Sequence, residues 1–136
     1  KRPDPGLLAA LERYDGPAYR MIRKLKREGK WKGSLDVAIL SARFALIRPE
    51  ELIPHYDQVM TSQRASQLRQ RVSQQLQRIL EEQPYSEAFF HLGPTYLEAL
   101  LSDSLFSHSL RVLVARGRIG ERMRALKSWV LSLKET

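Results

Sequence analysis

Residues 110–120 read LRVLVARGRIG, and the fold turns on this stretch. Leu110–Ala115 is a short run dominated by Val and Leu, the composition of a strand. It passes directly into Arg116, Gly117, Arg118, Ile119 and Gly120, and behind that turn Met123, Leu126, Trp129, Val130 and Leu133 recur at helical spacing. Arg122, Arg124 and Lys127 fall outside this apolar stripe, so the spacing predicts an amphipathic helix.

The same alternation continues toward the N-terminus. Ala88–Leu92 (AFFHL) reads as a strand closed by Gly93 and Pro94, and Pro94 can open a short helix holding Tyr96, Leu97, Leu100 and Leu101 before a polar turn, 102–109. Across Ser62–Gln83, Ala65, Leu68, Val72, Leu76, Ile79 and Leu80 mark one face of a long helix whose other face is Arg and Gln. Leu35–Leu40 (LDVAIL) reads as a buried strand. Between Arg48 and Met60, Pro49 and Pro54 break any period, which gives a long structured loop. Asp15, Gly16 and Pro17 open a helix in which Ala18, Met21, Ile22 and Leu25 form the apolar side, ending near Gly29. Lys1–Gly6, with two prolines and a glycine, begins a loop taken to span 1–13.

Helices alternating with mostly apolar strands predict a single α/β domain over 1–136: Rossmann-like, three layers, α/β/α, with a mostly parallel sheet. A doubly wound sheet normally opens with a strand, so a strand upstream of Lys1 is expected.

Composition narrows the function classes. The chain carries 23 Lys+Arg against 15 Asp+Glu, a net charge of +8, with 43% hydrophobic residues, which is enough apolar side chain for a core. No stretch approaches the roughly 18 unbroken apolar residues of a membrane span. Cysteine is absent, which excludes disulfides, thiolate nucleophiles and zinc-finger or iron–sulfur chemistry. No His pair has metal-ligand spacing, and neither a metal nor a cofactor is expected. A cytoplasmic protein with no membrane partner is the default expectation, and no oligomeric state can be read.

In open parallel sheets ligands bind beyond the carboxyl ends of the strands. That rule selects Ser41 and Arg43, then Gly93, Thr95 and Tyr96, then Arg116, Gly117, Arg118 and Gly120. The last group suits a phosphate: glycines allow close approach, the following helix offers its positive end, and two arginines can form bidentate bonds. It equally suits a turn with solvated arginines, because it matches neither a Walker loop nor a full dinucleotide fingerprint. Tyr19 and Tyr96, each one turn into a helix opened by Gly-Pro, either stack a base or line the edge of the core. His55, Tyr56 and Asp57 form either an acid–base set or a structural turn. Arg20, Arg23, Lys24 and Arg27, with Lys26, Lys30 and Lys32, give the first helix a cationic side of nearly unmixed sign, the footprint of a nucleic-acid surface.

LDVAILSARFALI, PEELIPHYDQVMT and YDGPAYR resemble a small family of uncharacterised α/β domains related to the peroxide stress protein YaaA and the core domain of archaeosine synthase. In that group a strand with a Cys/Ser–Lys segment comes first, a pattern of the type L-S-x-x-[FY]-G-L-[IV] closes the next strand, and a tyrosine–aspartate pair follows. Ser41 falls on the strand end, Ala45 where the group usually shows glycine, Tyr56 and Asp57 on the pair, and Tyr14, Gly16 and Pro17 on the opening motif. The Cys/Ser–Lys strand has no counterpart here, and Ala45 implies an altered turn. The resemblance implies DNA binding or transfer-RNA base modification, the latter with Ser41, Tyr56 and Asp57 as catalytic residues. The sequence thus predicts a protein that binds nucleic acid or nucleotides, with an enzyme acting on a nucleobase or nucleotide, or a basic module for an acidic protein, as alternatives.

Overall fold

A computed structural model describes residues 7–9, 16–33, 35–54, 58–100 and 110–133. Tyr14, Asp15, His55, Tyr56, Asp57 and the polar turn 102–109 lie outside the described residues. The described residues within 40–47 and 56–114 form one compact unit, and those within 1–39, 48–55 and 115–136 form another.

The 40–47 and 56–114 unit is built on helix α2, Ser62–Glu82. Thr61 caps it: its side-chain oxygen accepts from the Arg64 backbone N–H at 3.1 Å. Ala65, Leu68, Val72 and Leu76 are buried at the spacing of a single helical face. They share a core with Leu40, Ala42, Ala45, Met60, Ala99 and Leu100, and each large side chain so buried contributes about 1.5–3 kcal/mol. Strands β2 (Ile39–Ser41) and β3 (Ala45–Ile47) pair with each other across a three-residue turn. Two polar side chains of α2 hold this pair. Arg64 Nε donates to the Ala42 carbonyl at 2.7 Å, and Gln75 Oε1 accepts from Leu46 N–H at 3.0 Å. Strand β5 (Glu87–Phe90), the short helix α3 (Pro94–Leu97), a 3-10 turn Glu98–Leu100 and strand β6 (Arg111–Val114) complete the unit. β5 and β6 are parallel, with Glu87 opposite Arg111 and Phe90 opposite Val114.

The other unit holds helices α1 (Pro17–Arg27) and α4 (Ile119–Ser132), which pack against each other. α1 buries Ile22 and Leu25, and α4 buries Leu126 and Val130. Gly16, not Asp15, occupies the N-cap of α1, with Pro17 in the first turn. α1 stops in a Schellman turn: Gly29 takes φ +71, Gly29 N–H donates to the Lys26 carbonyl at 3.2 Å, and Lys30 N–H donates to that of Leu25 at 2.9 Å. Strands β1 (Leu7–Ala9) and β4 (Leu52–Pro54) form an antiparallel pair, Leu7 opposite Pro54 and Ala9 opposite Leu52.

The protein is therefore mixed α/β, and among the described residues α1, α2 and α4 lie where their periodicity puts them, while α3 ends at Leu97 and leaves Leu100 to the 3-10 turn. The expected sheet does not appear among the described residues. The strands form three two-stranded sheets instead of one parallel sheet in a three-layer Rossmann-like stack. Two of the three expected strands pair in parallel as anticipated. The third is shorter and later than Leu35–Leu40 because Ser41 turns the chain back on itself, and ALI at 45–47 supplies the partner. A strand at Leu7–Ala9 also corrects the loop expected over 1–13, and β4 corrects the strandless loop expected after Arg48.

Candidate functional site

Ser41 is 1% exposed. Its hydroxyl oxygen accepts from the backbone N–H of Arg43 at 3.2 Å and of Phe44 at 3.1 Å, the bonding of a Ser turn. A nucleophilic role would require this oxygen to leave two donors that hold the β2–β3 connection. Its suggested companions Tyr56 and Asp57 are outside the described residues. Arg43 is exposed, with its guanidinium carbon 5.2 Å from the Phe44 ring centroid. Its carbonyl accepts from Arg64 at 3.3 Å. Ala45 adopts φ +62, the left-handed conformation that favours glycine.

Gly93 caps α3, and Tyr96 packs against the buried core cluster, which assigns it to the core edge. Thr95 is half-buried beside it. α3 is only one turn long, so no sizeable helix dipole faces the Gly93 turn.

Arg116 and Arg118 are exposed, and Gly117 takes φ +90. Arg118 is the N-cap of α4, and its backbone N–H donates to Glu121 Oε1 at 3.2 Å. Glu121 thereby supplies the reciprocal half of a capping box; arginine has no acceptor with which to supply the other half. A Cβ on Gly117 would lie 2.9 Å from the Glu121 carboxyl carbon, so the carboxylate is seated directly over the glycine. The helix end expected to hold phosphate already carries an anionic group of the protein itself. Gly120 lies one residue into α4 and is exposed. The sequence signal of this capping is Glu121 itself, an acid three residues after the cap.

With the strand ends distributed over separate two-stranded sheets, the common rim that was to gather these loops has no sheet to define it. A different set of residues does come together. α1 and its C-terminal turn carry Arg20, Arg23, Lys24, Lys26, Arg27, Lys30 and Lys32 against Glu28 alone; the segment leading through α4 carries Arg116, Arg118, Arg122, Arg124 and Lys127 against Glu121 alone. Twelve cations against two anions give these two segments, residues 20–32 and 116–127, a net charge of +10, so the remainder of the chain is net −2. The whole basic excess lies on these two segments, which overlap the packed helices α1 and α4. Arg20, Lys24 and Arg27 are exposed at the i, i+4 and i+7 positions of α1, opposite its buried residues, and Arg23 is half-buried at their flank. Beside them Lys26 Nζ lies 5.5 Å from the centroid of Trp31, whose indole Nε1 donates to the Leu35 carbonyl at 3.1 Å.

Residues 4–128 match the model of DUF6884, a family of unknown function. The chain belongs to this family. The DUF6884 match contains both cation-rich segments, from Arg20 to Lys127. No curated protein and no solved structure matches the chain. No described helix is long and apolar enough to cross a membrane.

Proposed function

We propose that this DUF6884 protein binds nucleic acid through the cationic surface of α1 and α4, contacting phosphates with Arg20, Lys24 and Arg27 and with the exposed side chains of Arg116 and Arg118. The supporting observation is the partition of charge: +10 on residues 20–32 and 116–127, the segments that overlap the packed helices α1 and α4, and −2 on everything else. A cationic face of this kind neutralises phosphates and releases condensed counterions, which favours binding at low salt irrespective of base sequence. The segregation of sign favours a polyanion over a neutral or zwitterionic ligand, because like charges crowded onto adjacent helices repel until an anion screens them.

Phosphate is engaged by side chains here, not by the backbone nest first suggested by Gly117 and Gly120, since Glu121 holds the Arg118 N–H. The resemblance of LDVAILSARFALI and YDGPAYR to the YaaA and archaeosine synthase group supports the same class of ligand, because relatives there are linked to DNA or transfer RNA. A Rossmann-like ancestry for the β5–α3–β6 crossover belongs to this proposal as well.

The test is binding of a fluorescent oligonucleotide as salt is raised. Affinity should fall steeply, and Lys24→Glu with Arg27→Glu should weaken it far more than Arg78→Glu on the outer face of α2. Equal competition by any polyanion, nucleic or not, would instead favour an acidic protein as the partner.

A further inference from the structure

We infer that Trp31 is a stacking platform for a nucleobase, and that the cationic surface therefore takes single-stranded nucleic acid in preference to duplex. The inference rests on the nucleic-acid reading and refines it. Trp31 follows the Schellman turn of α1 and is half-buried, so part of its surface meets solvent. It is also not loose. The Leu35 carbonyl fixes the indole N–H, and Lys26 Nζ stands 5.5 Å from the ring centroid.

An aromatic ring held in place by its own polar atom loses little freedom when a base stacks on it. Lys26 stands over the ring face, so a base that stacks there displaces the ammonium toward the phosphate beside that base. The ring sits at the C-terminal end of the helix that carries the exposed ladder Arg20, Lys24 and Arg27. A ladder of cations that tracks a strand, with an aromatic at its end, is the arrangement that binds single strands without reading sequence. In a duplex the base faces are covered by their neighbours and only the edges are reachable, so a fixed indole gains nothing from it.

The chain has two tryptophans, Trp31 and Trp129, so Trp129→Phe leaves Trp31 as the sole indole reporter. Oligo(dT) titrated into that variant should quench Trp31 fluorescence with the same midpoint as the anisotropy of labelled oligo(dT). Trp31→Leu should weaken oligo(dT) binding by about tenfold and leave binding of a duplex of equal length unchanged, while Trp31→Phe should retain most of the affinity. Circular dichroism melts of each variant establish that it is folded. Salt-dependent binding with duplex equal to or tighter than single strand, or an unquenched Trp31 at saturation, overturns the platform and leaves the cationic surface standing. Absence of salt-dependent binding to either form overturns both.

Discussion

Ala45 is a residue doing what glycine does more cheaply. A left-handed alanine costs about 1–2 kcal/mol, yet its methyl is fully buried in the core of α2, which returns about 0.8 kcal/mol. Ala45→Gly should therefore leave stability unchanged or raise it by up to about 1 kcal/mol, whereas Ala45→Val, β-branched at positive φ, should lower it by more than 2 kcal/mol, on the order of a severe core substitution. Urea denaturation of both variants checks the pair. Gly117 is the converse case. Ala there must hold φ +90 and press on the Glu121 carboxylate, so Gly117→Ala should cost about 1–2 kcal/mol and loosen the start of α4. In the sequence Gly117 read as room for the close approach of a phosphate; the group seated over it is an acid of the same helix.

At the scale of elements, α2 organises its unit through polar contacts as well as burial. Its Arg and Gln residues looked like a solvated face, and several are, but Arg64, Arg69 and Gln75 reach backbone groups of other segments. Arg64→Met should lower stability by about 1–2 kcal/mol, since it removes the guanidinium's bonds to the part-buried Ala42 carbonyl and the exposed Arg43 carbonyl. Leu68→Ala should cost about 3 kcal/mol as a core truncation. Helices α1, α2 and α4 were legible because each runs 11 to 21 residues, several repeats of the 3.6-residue period. Of the strands, β5 and β6 were legible as apolar runs, whereas β1, β3 and β4 were not, because each is three residues long and presents barely one repeat of its period. β4 also ends in a proline, which reads as a break and is tolerated at the edge of a two-stranded pair.

For the whole molecule, the decisive property is where charge is collected. The excess of cations and the run on α1 were plain in the sequence. That α4 packs against α1 and brings the second cationic segment to the same unit was not, because periodicity says which face of a helix is buried and not which helix buries it. The basic helices should consequently repel each other at low ionic strength, and moderate salt or a bound polyanion should raise the melting temperature of the unit that contains them. A melting temperature that falls monotonically with added salt would argue against that repulsion.

The most direct test of the nucleic-acid assignment is the slope of log K against log salt for a single-stranded oligonucleotide, measured for the wild-type chain and for Lys24→Ala with Arg27→Ala. A steep negative slope is expected, shallower in the double variant by about 0.7 for each phosphate contact removed. A flat slope in the wild type, or one that the two substitutions leave unchanged, would contradict it.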